Sequence, residues 1–337
     1  MFKRVLTLFC GILALVFLSA GAAGAAVVIK FAHNGNTIPE DPQNVACYAF
    51  QKMVNEGSKG ELEVQIYPAQ QLGDARTITE GVQFGTIEMA DVENGPMGRF
   101  VPEAMLWDLP YIFRDIEHAH KVLDGPIGQD LQAKFLPRNI RHLAYNDGGF
   151  RYFTNSKRPI KGMADLKDLK IRVMESEVMI STIKAFGASA IPMAFGELYS
   201  ALQQGVVDGE ENPLNLIFSQ RFYEVQKYLS MSQHFYYPRQ YIISEGVFQK
   251  LTPAQQELIK TSALKACAIQ REELVKYEEQ MKTTLAEKGM QIVEVQDFDK
   301  APLIKVSQEQ VYPLFYTKIA ATEAEGKALI QRIVDTK

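Results

Sequence analysis

The sequence predicts an α/β protein of two domains, with one long helix laid across both. Strand and helix patterns alternate over residues 27–145, and a similar alternation starts again after Gly148-Gly149. A helical pattern of 36 residues follows over residues 253–288. About 310 residues remain after a predicted leader, which is more than one hydrophobic core usually serves, so we expect two domains.

The first unit alternates between the two hydrophobic periods. Residues 62–67 alternate apolar and polar side chains as a half-buried strand does, and residues 42–55 carry apolar side chains at helical spacing. Asp74 and Gly85 are the start and stop signals of a second helix. Because strand–helix–strand units place their strands side by side, we expect helices that cover a largely parallel sheet. The strands predicted here are residues 27–32, 62–67, 87–92 and 140–145.

The second unit is predicted to begin at Gly148-Gly149. Its strand patterns cover residues 150–154, 169–173 and 206–208, and its helix patterns cover residues 176–186 and 198–204. A strand pattern at residues 240–244 indicates that the chain returns to the first domain, and repeated crossings form a hinge. We expect a first domain of residues 27–148 with about 238–275, a second of residues 149–237 with about 276–310, and a C-terminal helical segment of about 311–337.

The long helix has clear end signals. Thr252-Pro253-Ala254-Gln255 is a capping-box start, and Gly289 is a stop signal. At 1.5 Å per residue the helix would be about 54 Å long. Its apolar residues keep no sustained heptad, which argues against a coiled coil and favours a strut across both domains.

The first 26 residues have the pattern of a secretion signal. Lys3 and Arg4 precede an apolar run over residues 5–18, and small residues fill positions 20–26, which is typical of a cleaved signal peptide. The run of about 14 residues is shorter than the roughly 20 that span a bilayer, so a retained membrane anchor is the less favoured interpretation. We expect cleavage near Ala26 and a secreted mature chain.

Charge and cysteine content exclude two classes of protein. Removal of the leader takes away Lys3 and Arg4 of the 36 basic residues. The remaining 34 basic and 40 acidic residues give the mature chain a net charge of −6. No basic cluster is present, so nucleic acid is not an expected partner. Only Cys47 and Cys267 lie outside the leader, which excludes a disulfide-dense scaffold and leaves either one long-range disulfide bridge or two buried thiols. Both fall within helical apolar patterns, so we favour buried thiols.

Three residues of the second unit suggest a site for a carboxylate. Arg172 projects from one face of a strand, and Asn212 lies in a turn-rich segment after another. Arg151 follows Gly148-Gly149, where the absent side chains would let a ligand approach the backbone. A lone arginine is usually part of a surface ion pair, but three strand ends can converge on the crevice where open α/β sheets bind ligands. Planar guanidinium groups bind carboxylates with two parallel hydrogen bonds.

No motif for catalysis or metal binding accompanies these residues. The sequence contains no G-x-S-x-G, H-E-x-x-H, paired C-x-x-C or phosphate-binding glycine loop. His118 and His120 would point about 200° apart on their predicted helix, so a metal site is not expected. We predict a binding protein without cofactor or metal. A secreted hydrolase and a structural or adhesive protein stay as alternatives, because catalytic triads are recognised by geometry rather than by sequence.

Seven runs of residues, spread over essentially the whole chain after the leader, form one pattern. They are Gln71-Leu72-Gly73-Asp74, Leu109-Pro110-Tyr111, Gly149-Phe150-Arg151, the run from Asp165 to Val173, Pro192-Met193-Ala194-Phe195, Ala201-Leu202-Gln203-Gln204-Gly205 and the run from Val207 to Pro213. In this order and spacing the chain resembles the DctP-type solute receptors of tripartite ATP-independent periplasmic (TRAP) transporters. Asp168 and Glu210 depart from that pattern, where the family usually has Gly and Gln.

The resemblance implies a fold, a location and partners. The implied fold is the two-domain periplasmic-binding-protein (Venus-flytrap) fold, whose hinge closes over a small organic acid. The implied location is the periplasm, and the implied partners are the small and large membrane subunits of the transporter. The resemblance also implies that Arg172 forms a bidentate salt bridge to the ligand carboxylate, that Arg151 adds a second charged contact, and that Asn212 binds the same end. We expect a monomer.

Over the pocket positions the chain looks most like receptors for sialic acid. The matching positions are Asn34, Glu93, Arg151, Arg172, Phe195 and Asn212. Ala75 and Glu175 stand where those receptors carry an aspartate and an asparagine, both at the hydroxyl-rich end. We therefore expect a hydroxylated sugar acid, such as a uronate. A C4-dicarboxylate or another short carboxylate is the alternative.

Three of the candidate residues have a second interpretation. Glu93 either accepts ligand hydrogens or is the counter-ion of Arg151 or Arg172 in the empty pocket. Phe195 either covers the apolar face of the ligand or packs in the core. His33, beside Asn34, either lines the pocket or faces solvent at a strand end.

Overall fold

The structure is a computed structural model that describes residues 26–337. The predicted signal peptide, Ala26 excepted, lies outside these residues. Nine strands of the described chain are β1 (Val27–His33), β2 (Leu62–Tyr67), β3 (Met89–Glu93), β4 (Ile140–Asn155), β5 (Lys170–Val173), β6 (Ser189–Pro192), β7 (Gly209–Asn212), β8 (Tyr228–Ser244) and β9 (Gln291–Val293). They form one sheet in the order β2-β1-β3-β8-β4-β7-β5-β6, and β9 pairs with β8.

Helices connect and cover these strands, which confirms the predicted α/β class. The α-helices are α1 (Pro42–Gly57), α2 (Ala75–Phe84), α3 (Ile116–Asp124), α4 (Pro126–Gln132), α5 (Glu177–Ala185), α6 (Leu198–Gln203), α7 (Leu214–Ser219), α8 (Glu245–Phe248), α9 (Pro253–Glu287), α10 (Ala301–Val306), α11 (Tyr316–Ile319) and α12 (Glu323–Asp335).

Helix ends follow the signals in the sequence. The side chain of Asp74 accepts a hydrogen bond from the backbone N–H of Thr77 at the start of α2, and Gly85 ends that helix with a φ of 75°. Thr252 and Gln255 form the predicted capping box at the start of α9. Local side-chain chemistry therefore determines where these helices begin and end.

The sheet is mixed rather than largely parallel, which corrects the prediction. In what we call the first half of the sheet, β1 pairs in parallel with β2 and β3, and in the second half β5 pairs in parallel with β6 and β7. The long strands β4 and β8 are antiparallel to each other and run through both halves. The predicted strand at residues 206–208 is also wrong, since β7 begins at Gly209.

A β-bulge marks the place where β4 crosses between the halves. The register with β8 shifts between Asp147 and Phe150, at Gly148-Gly149. A Cβ atom at Gly148 would lie 1.9 Å from the Tyr237 ring, and one at Gly149, whose φ is +82°, would lie 2.3 Å from Oε1 of Glu278. The two glycines thus make room for Tyr237 and Glu278, not for a ligand as we expected. Because the bulge interrupts the period-two pattern, the sequence predicted two short strands in place of β4.

The carboxyl group of Glu278 links α9 to this crossing and should make stability depend on pH. Its side chain is half-buried, but Oε1 is buried without a hydrogen-bond partner. Burial, and then the charge of Asp147, raise the pKa of Glu278 to about 8. The folded state therefore keeps a proton that the unfolded chain releases near pH 4.5. The resulting stabilisation is complete below that pH and is lost as the pH rises through about 8.

We accordingly expect Glu278→Gln to flatten the pH dependence of stability. The unfolding free energy of the unmodified protein should fall by at least about 1 kcal/mol between pH 5 and pH 8, since one pKa unit corresponds to about 1.4 kcal/mol. The unfolding free energy of the Glu278→Gln variant should fall by less over the same pH interval. Urea unfolding at several pH values measures this, with Glu279→Gln at the exposed neighbouring position as the control. Equal pH dependence in the unmodified protein and the Glu278 variant would contradict the assignment.

Helix α9 is the predicted long helix and contacts both halves. It is 35 residues long and packs against α1 beside the first half, against β4, and against α7 beside the second half. None of the helices in residues 26–337 combines the length and the apolar run needed to cross a membrane. The exact domain boundaries stay a prediction.

The two cysteines of residues 26–337 are both free and buried. Cys47 of α1 lies 3.6 Å from the hydroxyl group of Tyr241, and Cys267 lies on α9 in the same apolar cluster. Burial raises the pKa of both thiols well above the ordinary value. Between a bridge and two buried thiols, the structure has the thiols that we favoured.

Candidate functional site

A cavity lies between the two halves of the sheet, at the carboxyl ends of several strands. It has two adjoining parts with about 340 and 280 Å³ of empty volume. Asn34, which follows β1, and Glu93, which ends β3, line both parts from the first half. Arg172 of β5, Met174 and Phe195 line both parts from the second half. Ligands of open α/β sheets bind in such crevices outside the carboxyl ends of strands.

Arg172 is a buried cation without an ionic partner. Its side chain faces the cavity because Ile171 and Val173, its neighbours on β5, are buried in the core of the second half. Arg172 is 1% exposed, and its Nε and Nη2 donate to the carbonyl oxygen of Met193 at 3.2 and 2.8 Å. No carboxylate among residues 26–337 lies within 4.0 Å of its nitrogens, and Nη1 has no hydrogen-bond partner.

The surroundings of Arg172 disfavour an unpaired charge on its guanidinium group. Burial, and then the charge of Arg151, lower the pKa of Arg172 from its ordinary value. The ring of Phe195 has its centroid 5.9 Å from Cζ of Arg172, and Phe195 also packs edge-on against Phe222. Phe195 therefore both lines the cavity and belongs to the core. An unpaired buried guanidinium group beside empty space is the strongest electrostatic demand for an anion in the described chain.

Arg151 is placed differently from our expectation. It is 0% exposed, and its Nε donates to Oε2 of Glu211 at 2.5 Å while Nη2 donates to Oε1 at 3.0 Å. Its guanidinium group also lies 4.5 Å above the ring of Tyr237. Arg151 does not line the cavity, and the neighbouring carboxylate of Glu211 already neutralises its charge. A direct contact of Arg151 with a ligand stays a prediction.

Asn212 lines the inner part of the cavity at the end of β7. Its amide nitrogen donates to the carboxyl group of Glu210, which also accepts a hydrogen bond of 2.5 Å from the hydroxyl group of Thr154. Burial raises the pKa of Glu210 to about 7. Glu210, one of the two departures from the family pattern, therefore lies behind the site and holds Asn212 in place.

Glu93 pairs with an arginine that we did not expect. Oε1 of Glu93 accepts a hydrogen bond of 2.7 Å from Nδ2 of Asn34, and Oε2 lies 3.6 Å from Nη1 of Arg239. The counter-ion of Glu93 is thus Arg239, not Arg151 or Arg172. Oε2 is buried and accepts no hydrogen bond. The cavity therefore contains a carboxylate oxygen that accepts no hydrogen bond, opposite the unpaired guanidinium group of Arg172.

Sequence reasoning missed Arg239. It lies on β8, 5% exposed, and lines the inner part of the cavity with Tyr237. The available signal was a charged residue in an otherwise apolar strand, directly after Tyr237-Pro238, where we predicted the chain to cross between domains. We began the predicted strand at residue 240 and so left Arg239 outside it.

Two other predicted site residues, Glu175 and His33, lie at the outer part of the cavity and away from it, respectively. Glu175 lines the outer part of the cavity beside Ala75, and one of its oxygens lies 3.9 Å from Nη2 of Arg99. His33 is fully buried and does not line the cavity, so neither the pocket wall nor solvent is its environment. Burial, and then the charge of Arg239, lower the pKa of His33 to about 3, which keeps the ring neutral.

A larger groove elsewhere on the described chain contains no unpaired arginine. It has about 1720 Å³ of empty volume and lies between α9, α4 and the first part of β4. Its two arginines are paired: Arg141 with Glu245 at 2.6 Å, and Arg271 with Asp124 at 2.5 Å. Among residues 26–337 no cluster of His, Cys, Asp and Glu side chains could hold a metal ion. The cavity at Arg172 is therefore the candidate site.

A cavity between two halves joined by long strands, with an unpaired cation inside, is typical of a protein that binds an anionic solute. The chain matches the family described as "Bacterial extracellular solute-binding protein, family 7" (DctP) over residues 31–318, and it belongs to this family. A 2,3-diketo-L-gulonate-binding periplasmic protein of Escherichia coli (strain K12) is 36% identical over 291 residues, covering 86% of this chain and 88% of the relative.

Solved structures give the same result. A TRAP periplasmic solute-binding protein of Polaromonas sp. JS666, bound to D-erythronate, is 39% identical with a TM-score of 0.85, over 92% of this chain and 99% of that one. A TRAP periplasmic solute-binding protein of Roseobacter denitrificans with bound β-D-glucuronate is 30% identical with a TM-score of 0.86, over 92% and 100%. The periplasmic-binding-protein fold is thereby confirmed.

Membership in the family decides the class of function. Solute-binding proteins of TRAP transporters bind small organic acids outside the cytoplasm and work with membrane subunits. They are not enzymes, so the hydrolase alternative has no support. The predicted closeness to sialic-acid receptors is not confirmed, because relatives of similar identity bind different acids.

Proposed function

We propose that this chain is the periplasmic receptor of a TRAP transporter for a hydroxylated acid with one carboxylate group, such as an aldonate or a uronate. The observation that carries the proposal is the unpaired, buried guanidinium group of Arg172 at the wall of the cavity. A bound carboxylate would supply the missing counter-charge. The same acid would also satisfy the free acceptor on Glu93.

The donor geometry of Arg172 suits a carboxylate. Nε and one hydrogen of Nη2 are used by the carbonyl oxygen of Met193. Nη1 and the second hydrogen of Nη2 stay available as a parallel pair, which is the arrangement that binds a carboxylate in a bidentate way. Asn212 lies on the same wall and is proposed to bind the carboxylate end as well.

The opposite wall argues for hydroxyl groups rather than a second carboxylate. Glu93 and Asp91 are two acids around one arginine, Arg239, so this wall carries a net negative charge. A second carboxylate would be repelled there, whereas a hydroxyl group can donate to Oε2 of Glu93. A C4-dicarboxylate is therefore the weaker candidate.

Some relatives bind hydroxylated acids and agree with this choice of ligand, whereas a structure at 33% identity holds succinate and a relative at 35% identity is a C4-dicarboxylate-binding protein. D-erythronate, β-D-glucuronate and 2,3-diketo-L-gulonate each combine one carboxylate with several oxygen substituents. Ala75 and Glu175 stand where sialate receptors carry an aspartate and an asparagine, which favours a four- to six-carbon acid over the larger sialate.

Binding is proposed to be coupled to closure. Arg172 and Asn212 lie on the second half, whereas Asn34 and Glu93 lie on the first, so only a closed cleft brings all four to one ligand. The halves already touch beside the cavity, where a Cβ atom at Gly95 would lie 2.8 Å from Met174. A ligand that gains contacts only in the closed state shifts the population toward it, and the closed form then docks on the membrane subunits.

Calorimetric titration of the mature protein with a panel of acids tests the proposal. We expect D-erythronate, D-gluconate or β-D-glucuronate to bind at least about tenfold more tightly than succinate, which is a difference of about 1.4 kcal/mol. The melting temperature should rise with the same ranking, and the acid should be recovered unaltered. Tightest binding of succinate would refute the hydroxylated class, and binding of none of the acids would refute the carboxylate site.

A further inference from the structure

We propose that Arg239 is a positioning residue that makes the receptor prefer hydroxylated acids to acids of equal length without hydroxyl groups. This inference rests on the proposed function, because it concerns the opposite wall of the same cavity. In this account Arg172 binds the carboxylate, and Arg239 holds the groups that recognise the rest of the molecule.

Sheet register places Arg239 at the wall. On β8 it stands directly opposite Glu93 of β3, so the two side chains share one face of the sheet. Two residues earlier on β3, Asp91 stands opposite Tyr241 on the same face. Arg239 is therefore fixed between the acid that lines the cavity and an acid that lies behind it.

Asp91 is the anchor. One of its oxygens accepts from Nε of Arg239 at 3.1 Å, and the other accepts from Gln43 at 2.8 Å and from Asn146 at 3.3 Å. Nη2 of Arg239 also donates to the backbone oxygen of Asp91 at 3.0 Å. Burial alone would lower the pKa of Arg239, but the charge of Asp91 raises it above the ordinary value. The guanidinium group thus stays charged and has one orientation.

The outer side of the guanidinium group orients the residues that face the cavity. Nη2 donates to Oδ1 of Asn34 at 3.4 Å, and Nη1 donates to the hydroxyl group of Tyr237 at 3.2 Å. Because the oxygen of Asn34 is turned to Arg239, its amide nitrogen is turned to Glu93, where it donates to Oε1 at 2.7 Å. This sequence of contacts leaves Oε2 of Glu93, which lies 3.6 Å from Nη1 of Arg239, as the acceptor without a hydrogen bond.

The arrangement predicts a specific kind of discrimination. A ligand hydroxyl group can donate to Oε2 of Glu93, whereas a methylene group at that place would leave the buried acceptor unsatisfied. Lysine cannot replace Arg239, because a single ammonium group cannot reach Asp91, Asn34 and Tyr237 together. Loss of the guanidinium group should therefore remove the preference for hydroxyl groups while it leaves the carboxylate clamp at Arg172 intact.

The test compares D-erythronate with butanoate, which has the same four carbons and no hydroxyl group. We expect the unmodified receptor to prefer D-erythronate by at least about tenfold. In Arg239→Lys the affinity for D-erythronate should fall by about tenfold or more, and the affinity for butanoate by less than about threefold. Calorimetry measures the first acid, and displacement of bound D-erythronate measures the second. Arg141→Lys, the same exchange in the pair with Glu245 outside the cavity, should change neither affinity.

A second variant tests whether a loss of preference in Arg239→Lys comes from misfolding. Arg239→Gln combined with Asp91→Asn removes one charge of each sign, so it leaves no additional unpaired charge in the wall. It should melt cooperatively and also lose the preference for D-erythronate. A preference that survives in both variants, or equal losses for the two acids, would overturn the role of Arg239. If the unmodified protein binds neither acid, the proposed function itself fails, which is a different result.

Discussion

Replacing Arg172 with lysine is expected to lower the affinity for the solute nearly as much as replacing it with alanine, by roughly 30-fold or more. Removing one partner of a buried, hydrogen-bonded charge pair costs about 2–5 kcal/mol. Lysine keeps the charge, but it cannot hold the carbonyl oxygen of Met193 and a carboxylate together, as the planar group can. Calorimetric titration with β-D-glucuronate or D-erythronate measures both variants.

The control for this experiment is Arg141→Lys. Arg141 also forms a two-point contact with a carboxylate, that of Glu245, but it lies at the large groove and not at the cavity. Its variant should bind the solute as the unmodified protein does. If Arg172→Lys kept its affinity while Arg172→Ala lost it, the site would need only a positive charge. If both kept it, Arg172 would not belong to the site.

Glu211→Gln is expected to lower the unfolding free energy by about 3 kcal/mol or more. Breaking a buried salt bridge by removing one partner typically costs about 3–5 kcal/mol, because the other charge stays buried and unpaired. Arg151 would be that charge, since both residues are 0% exposed. Burial alone would raise the pKa of Glu211, but the charge of Arg151 lowers it below the ordinary value. Urea unfolding measures the loss.

The adjacent glutamate is a matched control. Burial raises the pKa of Glu210 to about 7, so at pH 6 it is largely protonated and a glutamine imitates it. The amide of Glu210→Gln can still accept from Asn212 and donate to the hydroxyl group of Thr154. This variant should therefore lose less than about 1 kcal/mol at pH 6. Equal losses in the two variants would contradict the assigned charges.

Local signals predicted much of the fold. The ends of α2 and α9 follow from Asp74, Gly85 and the capping box at Thr252, each of which acts within one helical turn. The orientation of Arg172 follows from the alternation of buried neighbours on β5. These features need no knowledge of distant contacts, which is why the sequence alone was sufficient for them.

Features that depend on distant partners were missed or misjudged. The long strand β4 was divided because a bulge breaks its period-two pattern at Gly148-Gly149, and of β8 only residues 240–244 were predicted. The ion pair of Arg151 with Glu211, 60 positions later, was missed because it is a contact between two strands that are distant in the sequence. The network of Arg239 depends on Asp91, 148 positions earlier. Such pairings are set by sheet register, which hydrophobic periodicity does not specify between distant strands.

A crystal structure of the mature protein with bound β-D-glucuronate or D-erythronate tests the central claim most directly. Our account predicts the carboxylate within hydrogen-bond distance of Nη1 and Nη2 of Arg172, and a hydroxyl group of the same molecule on Oε2 of Glu93. A ligand bound outside this cavity, or bound in it with the carboxylate turned away from Arg172, would contradict the account.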